Sequence, residues 1–361
     1  MPLAATALAL VLAPAAPAHH QSAKKGMWGP LDFEGRSAFP LYHRLGVGVY
    51  EMHLNWRDTA VSRPVDATDP ADPAYRWPES IDTAVARGRR HGVAVSLLVM
   101  WTPPWANGGR AGNWAPRSVR DLADFLTAAA RRYPGVRRWM VWGEPTRRPN
   151  FMPLDPETPG ERLTAAEARA AHKYARMLDA GYGALKRVNR RNLVIGGNSF
   201  TTGDISPLNW IRSMRLRDGS RPRMDLYGHN PFTARRPDLA HPLVRPPWGW
   251  ADFSDLDTMF GWLDRYGYRD ARGRRLRIFV SEFYYATDHP NNEINFYVGR
   301  HLQAEWVGDV LRIVRATPRI ATLGWLSLVD DPPRSDGLEV NRGLIDQQGR
   351  RKPAFHAFRK G

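Results

Sequence analysis

Val-Trp-Gly-Glu-Pro at 141–145 and Phe-Val-Ser-Glu-Phe-Tyr at 279–284 each carry a glutamate at the close of a short apolar run. A short apolar run bounded by turn formers reads as a buried strand, so Glu144 and Glu282 are expected at strand ends. Outward from these two, similar runs recur at 26–30, 47–56, 93–101, 136–142, 193–198, 224–229, 276–282 and 321–328. Helical patterns alternate with them at 38–44, 79–91, 118–133, 165–188, 209–216, 255–266, 292–315 and 354–359. Several begin with helix-start chemistry: Pro78-Glu79, Ser118 with Asp121, and Asn291 with Glu293. Strict alternation implies a parallel sheet, and eight such units imply a closed (β/α)8 barrel of the α/β class. The alternative is an open doubly wound sheet. Against it, no glycine-rich turn follows an early strand, and Gly46-Val-Gly48 lies inside a strand run and lacks a third glycine.

The chain has 361 residues with 43% hydrophobic content, enough to bury the core of one large barrel. Residues 1–18 form an uncharged apolar stretch ending in Ala16-Pro17-Ala18, which suits a signal peptide; 19–361 is then the barrel domain of an exported protein. No other run is apolar enough to cross a bilayer. Without cysteine the fold has no disulfide or thiol chemistry. The net charge is +16, and of 52 basic residues only six are lysine, leaving 46 arginines. Such a charge draws the protein toward anionic partners such as cell-wall polymers or acidic glycans. Yet the arginine doublets are spread along the whole chain, which reads as a solvated surface more readily than as one polyanion site. No nucleic-acid motif is present.

Pro- and Gly-rich stretches at 57–78, 103–116, 145–160, 230–250 and 331–340 each follow a strand. In a barrel such loops crown the C-terminal face, where active sites sit. Strand parity puts Met140, Trp142 and Glu144 on one face, and Ile278, Val280, Glu282 and Tyr284 on another. Both glutamates then point inward at the rim, from opposite sides of a narrow barrel. Two such carboxyls about 5 Å apart cleave a glycosidic bond with retention, one as proton donor and one as nucleophile. Either glutamate alone reads better as a helix cap or an arginine partner, and Arg147 and Arg148 lie close to Glu144; the two together favour catalysis. Of the fourteen tryptophans, Trp56, Trp101, Trp105, Trp142 and Trp325 fall at strand ends or in the loops above them, where rings stack on sugar faces; Trp139, Trp262 and Trp306 read as core.

The order of these landmarks resembles that of retaining glycoside hydrolases of the large (β/α)8 clan A. It is most similar to the family 39 branch of β-xylosidases and bacterial exopolysaccharide hydrolases, with family 5 as cousins. The motifs are Leu-Asn-Trp (54–56), Thr-Pro-Pro-Trp-Ala (102–106), Arg-Tyr-Pro (132–134), Trp-Gly-Glu-Pro (142–145), His-Asn-Pro-Phe (229–232), Ser-Glu-Phe (281–283), Trp325, Gly-Leu-Ile-Asp (343–346) and Lys-Pro-Ala-Phe (352–355). What the resemblance implies is Glu144 as general acid/base, Glu282 as nucleophile, and His229, Trp325 and Asn55 as orienting rim residues. One departure stands out: the family usually has Asn before its acid/base, and here the residue is Gly143. The loss of an amide toward the sugar 2-hydroxyl suggests a substrate unusual at that carbon, with Asn198 standing in. Phe232 likewise replaces a frequent Tyr.

Other chemistries lack their signatures: there is no His-Glu-x-x-His, nucleophile elbow or Walker loop, and no cofactor or metal is expected. The expected substrate is carbohydrate, with an anionic or cell-wall glycan suggested by the charge. The competing readings are a carbohydrate-binding pseudoenzyme with a Trp-lined groove, and a protein that binds anionic polymer through charge alone.

Overall fold

The computed structural model describes residues 21–240, 248–290 and 295–361. The apolar stretch at 1–18, expected to be a signal peptide, and the helix-start pair Asn291 and Glu293 lie outside the described residues. Eight parallel strands close into one barrel: β1 (Ser22–Trp28), β2 (Val47–Asn55), β3 (Ala94–Met100), β4 (Arg138–Val141), β5 (Leu193–Phe200), β6 (Leu226–Asn230), β7 (Arg277–Phe283) and β8 (Ile320–Leu326). Closure comes from β1, which pairs with β2 through Met27 and Tyr50 and with β8 through Met27 and Trp325. The helices between are α1 (Phe39–Arg44), α2 (Glu79–His91), α3 (Val119–Arg132), α4 (Ala168–Val188), α5 (Pro207–Ser213), α6 (Leu256–Arg265), α7 (Arg300–Ala316) and α8 (Pro353–Lys360).

Local chemistry explains the element ends. Ser118 caps α3 by accepting from Arg120 N at 3.2 Å, and Leu122, Phe125, Leu126 and Ala129 then bury one face of that helix at helical spacing. At the far end of α2, Gly92 takes φ +69°, the left-handed turn that stops a helix. No helix of the described residues is long and apolar enough to span a membrane.

Two elements differ from the sequence pattern. The first strand starts at Ser22 instead of 26, because Lys24 and Lys25 interrupt the apolar run while their stems lie in the sheet. Lys24 Nζ donates to Val314 O at 2.6 Å and Thr317 O at 2.8 Å, and Lys25 Nζ to Phe358 O at 2.6 Å. The ammonium groups thus satisfy carbonyls at the ends of α7 and α8. The seventh helix starts at Arg300, well after 292. The chain just before it is extended, with Val298 N donating to Ala286 O at 2.9 Å, so pairing with the segment after β7 outcompetes helix there.

Candidate active site

A cavity of about 880 Å³ opens at the C-terminal mouth of the barrel and is lined by both Glu144 and Glu282. Chain after β4, β6, β7 and β8 walls it. Phe200, Phe232 and Tyr284 make one continuous aromatic wall, with ring centroids 5.6 Å and 5.0 Å apart. Leu326, Leu338 and Val340 face it from the last strand and the loop beyond.

The backbone that delivers Glu144 is unusual. β4 ends at Val141, and Trp142 and Glu144 both have left-handed φ, +68° and +43°; so do Trp101 and Asn198 on the neighbouring strand ends. Such conformations cost about 1 kcal/mol or more each outside glycine, and local bonds hold them. Trp142 Nε1 donates to Asn150 O at 2.8 Å, and Asn198 Nδ2 donates to Val141 O and Trp142 O at 3.1 and 2.5 Å. Simple alternation therefore stops at Val141, and the turn, not strand parity, aims Glu144 into the cavity.

Glu144 is held on three sides. Arg147 Nη1 lies 2.9 Å from Oε2, Asn150 Nδ2 donates to the same oxygen at 3.1 Å, and Asn230 Nδ2 donates to Oε1 at 2.9 Å. The arginine partnership that the sequence allowed for Glu144 is thus present, and the carboxyl still lines the cavity. Arg147 also lies over the Phe200 ring, 4.5 Å from its centroid. Asn230 makes a second bond here, in which its Oδ1 accepts from Glu282 N at 3.1 Å. One amide side chain therefore ties the backbone of one carboxylate residue to the side chain of the other.

Glu282 sits within β7, where alternation does hold, and its electrostatics differ. Burial first, and the charge of Glu144 second, raise it from the ordinary 4.5 to about 8, against the opposing pull of Arg342 and Arg147. A carboxyl that binds its proton more tightly when folded destabilises the fold as pH rises from its unfolded to its folded value. Stability held below about pH 4.5 is accordingly lost on the way to about pH 8. The expected result is that Glu282→Gln melts progressively higher than the parent across that window and equal to it at the acid end. A gap in melting temperature that is constant with pH would refute this.

Beneath the pair lies a carboxyl the motifs did not single out. Glu51, on β2, is wholly inside the barrel; its Oε2 accepts from Ser281 Oγ at 3.0 Å, next to the nucleophile candidate. Burial pushes it well above the ordinary carboxylate value, which favours its protonated form next to Glu282. Gly324 makes room for it, since a Cβ there would collide with Glu51 Oε1.

The remaining sequence candidates separate. Tyr284 lines the cavity, with the Arg342 guanidinium 5.3 Å from its ring centroid. Trp101 and Asn55 border a smaller neighbouring depression, where Asn55 also caps the short helix Trp56–Thr59. Trp105 spends its Nε1–H on Ala60 O at 2.8 Å and carries Arg63 on its face. Trp56, Trp142 and Trp325 are corrections: all three are fully buried, Trp56 stacked on Phe125, Trp142 against Phe151, and Trp325 against Phe283 and Phe358. His229 is a further correction. It is buried, with Nε2 3.0 Å from Ala251 O and Nδ1 2.9 Å from Ser199 Oγ, and burial lowers it to about 4. It locks β6 to its neighbours as a neutral ring. Asn198 spends its amide on the β4 carbonyls and so does not stand in for the missing amide at 143. A side chain at Gly143 would itself point at Leu98, with Cβ 3.1 Å from Leu98 Cδ2, into the barrel wall.

The sequence matches no family model and no curated protein. Solved structures do resemble the chain. A family 39 glycoside hydrolase from the gut symbiont Bacteroides cellulosilyticus WH2 superposes with TM-score 0.65 at 17% identity, over 95% of this chain and 64% of that one. A glucosidase from Croceicoccus marinus gives TM-score 0.63 at 14% identity, over 94% and 67%. A monomeric β-xylosidase from Caulobacter crescentus CB15 gives 0.59 at 15%, over 93% and 67%. The likeness is one of fold. The chain spans 64% of the first of these proteins, and the rest of that protein has no counterpart in it.

Proposed function

We propose that the chain is an exported retaining glycoside hydrolase that cleaves O-glycosidic bonds in a polysaccharide or oligosaccharide. Glu144 is its acid/base and Glu282 its nucleophile. The observation that carries this reading is the pair itself: two carboxyls lining one cavity at the mouth of the barrel, joined through Asn230. The barrel neighbours, which include family 39 enzymes, support the same class. Export rests on the apolar stretch at 1–18.

Double displacement needs Glu282 ionised for attack and a proton on Glu144 for the leaving oxygen. Burial by itself favours a proton on Glu282. Moving one proton between the coupled carboxyls interconverts the two forms without changing the net charge of the pair. Positive charge developing at the anomeric carbon, close to Glu282, favours the productive one. Fixed donors from Arg147, Asn150 and Asn230 keep the acid/base oriented throughout, so no reorganisation is needed at the moment of transfer.

The pseudoenzyme reading depends on a Trp-lined groove. Among the described residues the large cavity is lined by phenylalanine and tyrosine and by no tryptophan, which favours the hydrolase reading over that one. Activated 2-deoxy-2-fluoro glycosides test the proposal. A retaining enzyme accumulates a covalent adduct, expected by peptide mass on the fragment carrying Glu282. An adduct elsewhere, or hydrolysis with inverted anomeric configuration, overturns it.

A further inference from the structure

Four of the arginines that look dispersed along the chain gather in one place. A cavity of about 470 Å³ lies between the loop after β3 and the outer face of α4, lined by Arg110, Trp114, Arg117, Arg169, Lys173 and Arg176. The Arg110 guanidinium stacks 4.0 Å from the Trp114 ring centroid. Lys173 Nζ donates to Arg117 O at 3.2 Å, which ties the loop to the helix. Arg169 pairs with Asp155 at 2.8 Å. Among the described residues no ion pair joins Arg110, Arg117, Lys173 or Arg176 to a carboxylate. Elsewhere arginines commonly do find such partners, as Arg235 with Asp252, Arg319 with Asp264 and Arg350 with Asp346. Burial, and then the charge of Arg176, lower Lys173; the cations crowd one another and lack internal counter-charge.

The cavity also has a direction. A shallow depression lined by Trp114, Asn113, Arg147, Arg148 and Met152 shares Trp114 with the basic cavity and Arg147 with the catalytic one. The depression thus links the catalytic mouth to α4; within it Arg147 is paired with Glu144 and Arg148 with Asp204, so the cations that no ion pair claims among the described residues are those beside α4. Repeated cations along a groove, with an aromatic ring for a sugar face, match a polymer that carries an anion on successive residues.

We propose that this groove binds an acidic polysaccharide, one bearing carboxylate or sulfate groups along its chain, and leads it toward the bond held between Glu144 and Glu282. The destination rests on the glycosidase reading; the binding site itself does not. Binding is therefore measured in the full chain carrying Glu282→Gln, so that turnover plays no part. Oligomers of a polyuronate, of a sulfated glycan and of a neutral glucan, all of one length, are titrated by calorimetry. Either acidic oligomer, and not the neutral one, is expected to bind, and the stronger of the two identifies the oxyanion. Combining Arg117→Ala, Lys173→Ala and Arg176→Ala is expected to weaken that binding about tenfold or more at low ionic strength. The same three changes in the otherwise unaltered chain leave kcat on a short aryl glycoside unchanged. As a check that needs no variant, affinity falls steeply as salt rises to about 0.5 M. Affinity unmoved by the substitutions, affinity unmoved by salt, or tighter binding of an oligonucleotide of equal charge overturns the proposal.

Discussion

Glu282→Ala is expected to reduce turnover of an aryl glycoside by on the order of 10⁴-fold or more, since the covalent step is lost altogether. The fold tolerates the change, because the bond that Asn230 makes at this position is to the backbone N and survives truncation of the side chain. Added azide then attacks the anomeric carbon from the face that Glu282 used, restores part of the rate and gives a glycosyl azide of inverted configuration. In Glu144→Ala the nucleophile remains and azide intercepts the glycosyl-enzyme from the other face, so the product azide retains configuration. Chirality of the two products therefore assigns the two roles independently of the rates. Retained product from the Glu282 variant would exchange the roles. No rescue in either, with both proteins folded, would sink the double-displacement reading.

The largest expected loss of stability lies behind the cavity. Lys352 and Asp330 form an ion pair at 2.7 Å with both side chains almost completely buried. Lys352 Nζ also donates to Thr287 Oγ1 at 2.8 Å, while Asp330 Oδ1 accepts from Gly343 N at 2.7 Å. Desolvation pulls both groups toward neutrality, lowering Lys352 and raising Asp330. Removing one partner leaves the other buried without its counter-charge, which costs about 3–5 kcal/mol. Lys352→Met is expected to destabilise by that amount in urea unfolding, and adding Asp330→Leu to restore most of it. A double variant no more stable than the single one would show that the pair carries no such penalty. The substitution reaches the site as well. Residues 331–342 span the two anchors and include Asp331, Arg334, Leu338, Val340 and Arg342 on the cavity wall. A looser anchor should therefore raise KM more than it lowers kcat.

The two carboxyls were legible only as a pair, because a single glutamate that ends an apolar run has ordinary structural uses while two on opposite strands point to one cavity. The residues that serve them were not. On β6 the motif pointed to His229, and the amide holding both glutamate residues is the next one, Asn230. On β8 it pointed to Trp325, and the side chain facing the cavity is Leu326. Side chains alternate with a period of two, so an error of one residue exchanges wall for cavity, and a short strand rich in aromatics gives no contrast by which to tell its faces. Glu51 was missed for a related reason: a lone acid in a strand pattern reads as solvent-facing, and only glycines on distant strands reveal the space kept for it.

The sequence alone determined the order of strands and helices and the closed barrel they imply, because these depend on local periodicity and on the small number of ways to cover both faces of a parallel sheet. It also determined that two glutamates stand at strand ends. Only the tertiary structure decided which neighbours face them, that Arg147 partners one while burial raises the pKa of the other, and that four of the scattered arginines meet beside α4. Those outcomes depend on left-handed turns at the strand ends and on contacts between segments far apart in the chain. Neither leaves a periodic trace in the order of the residues.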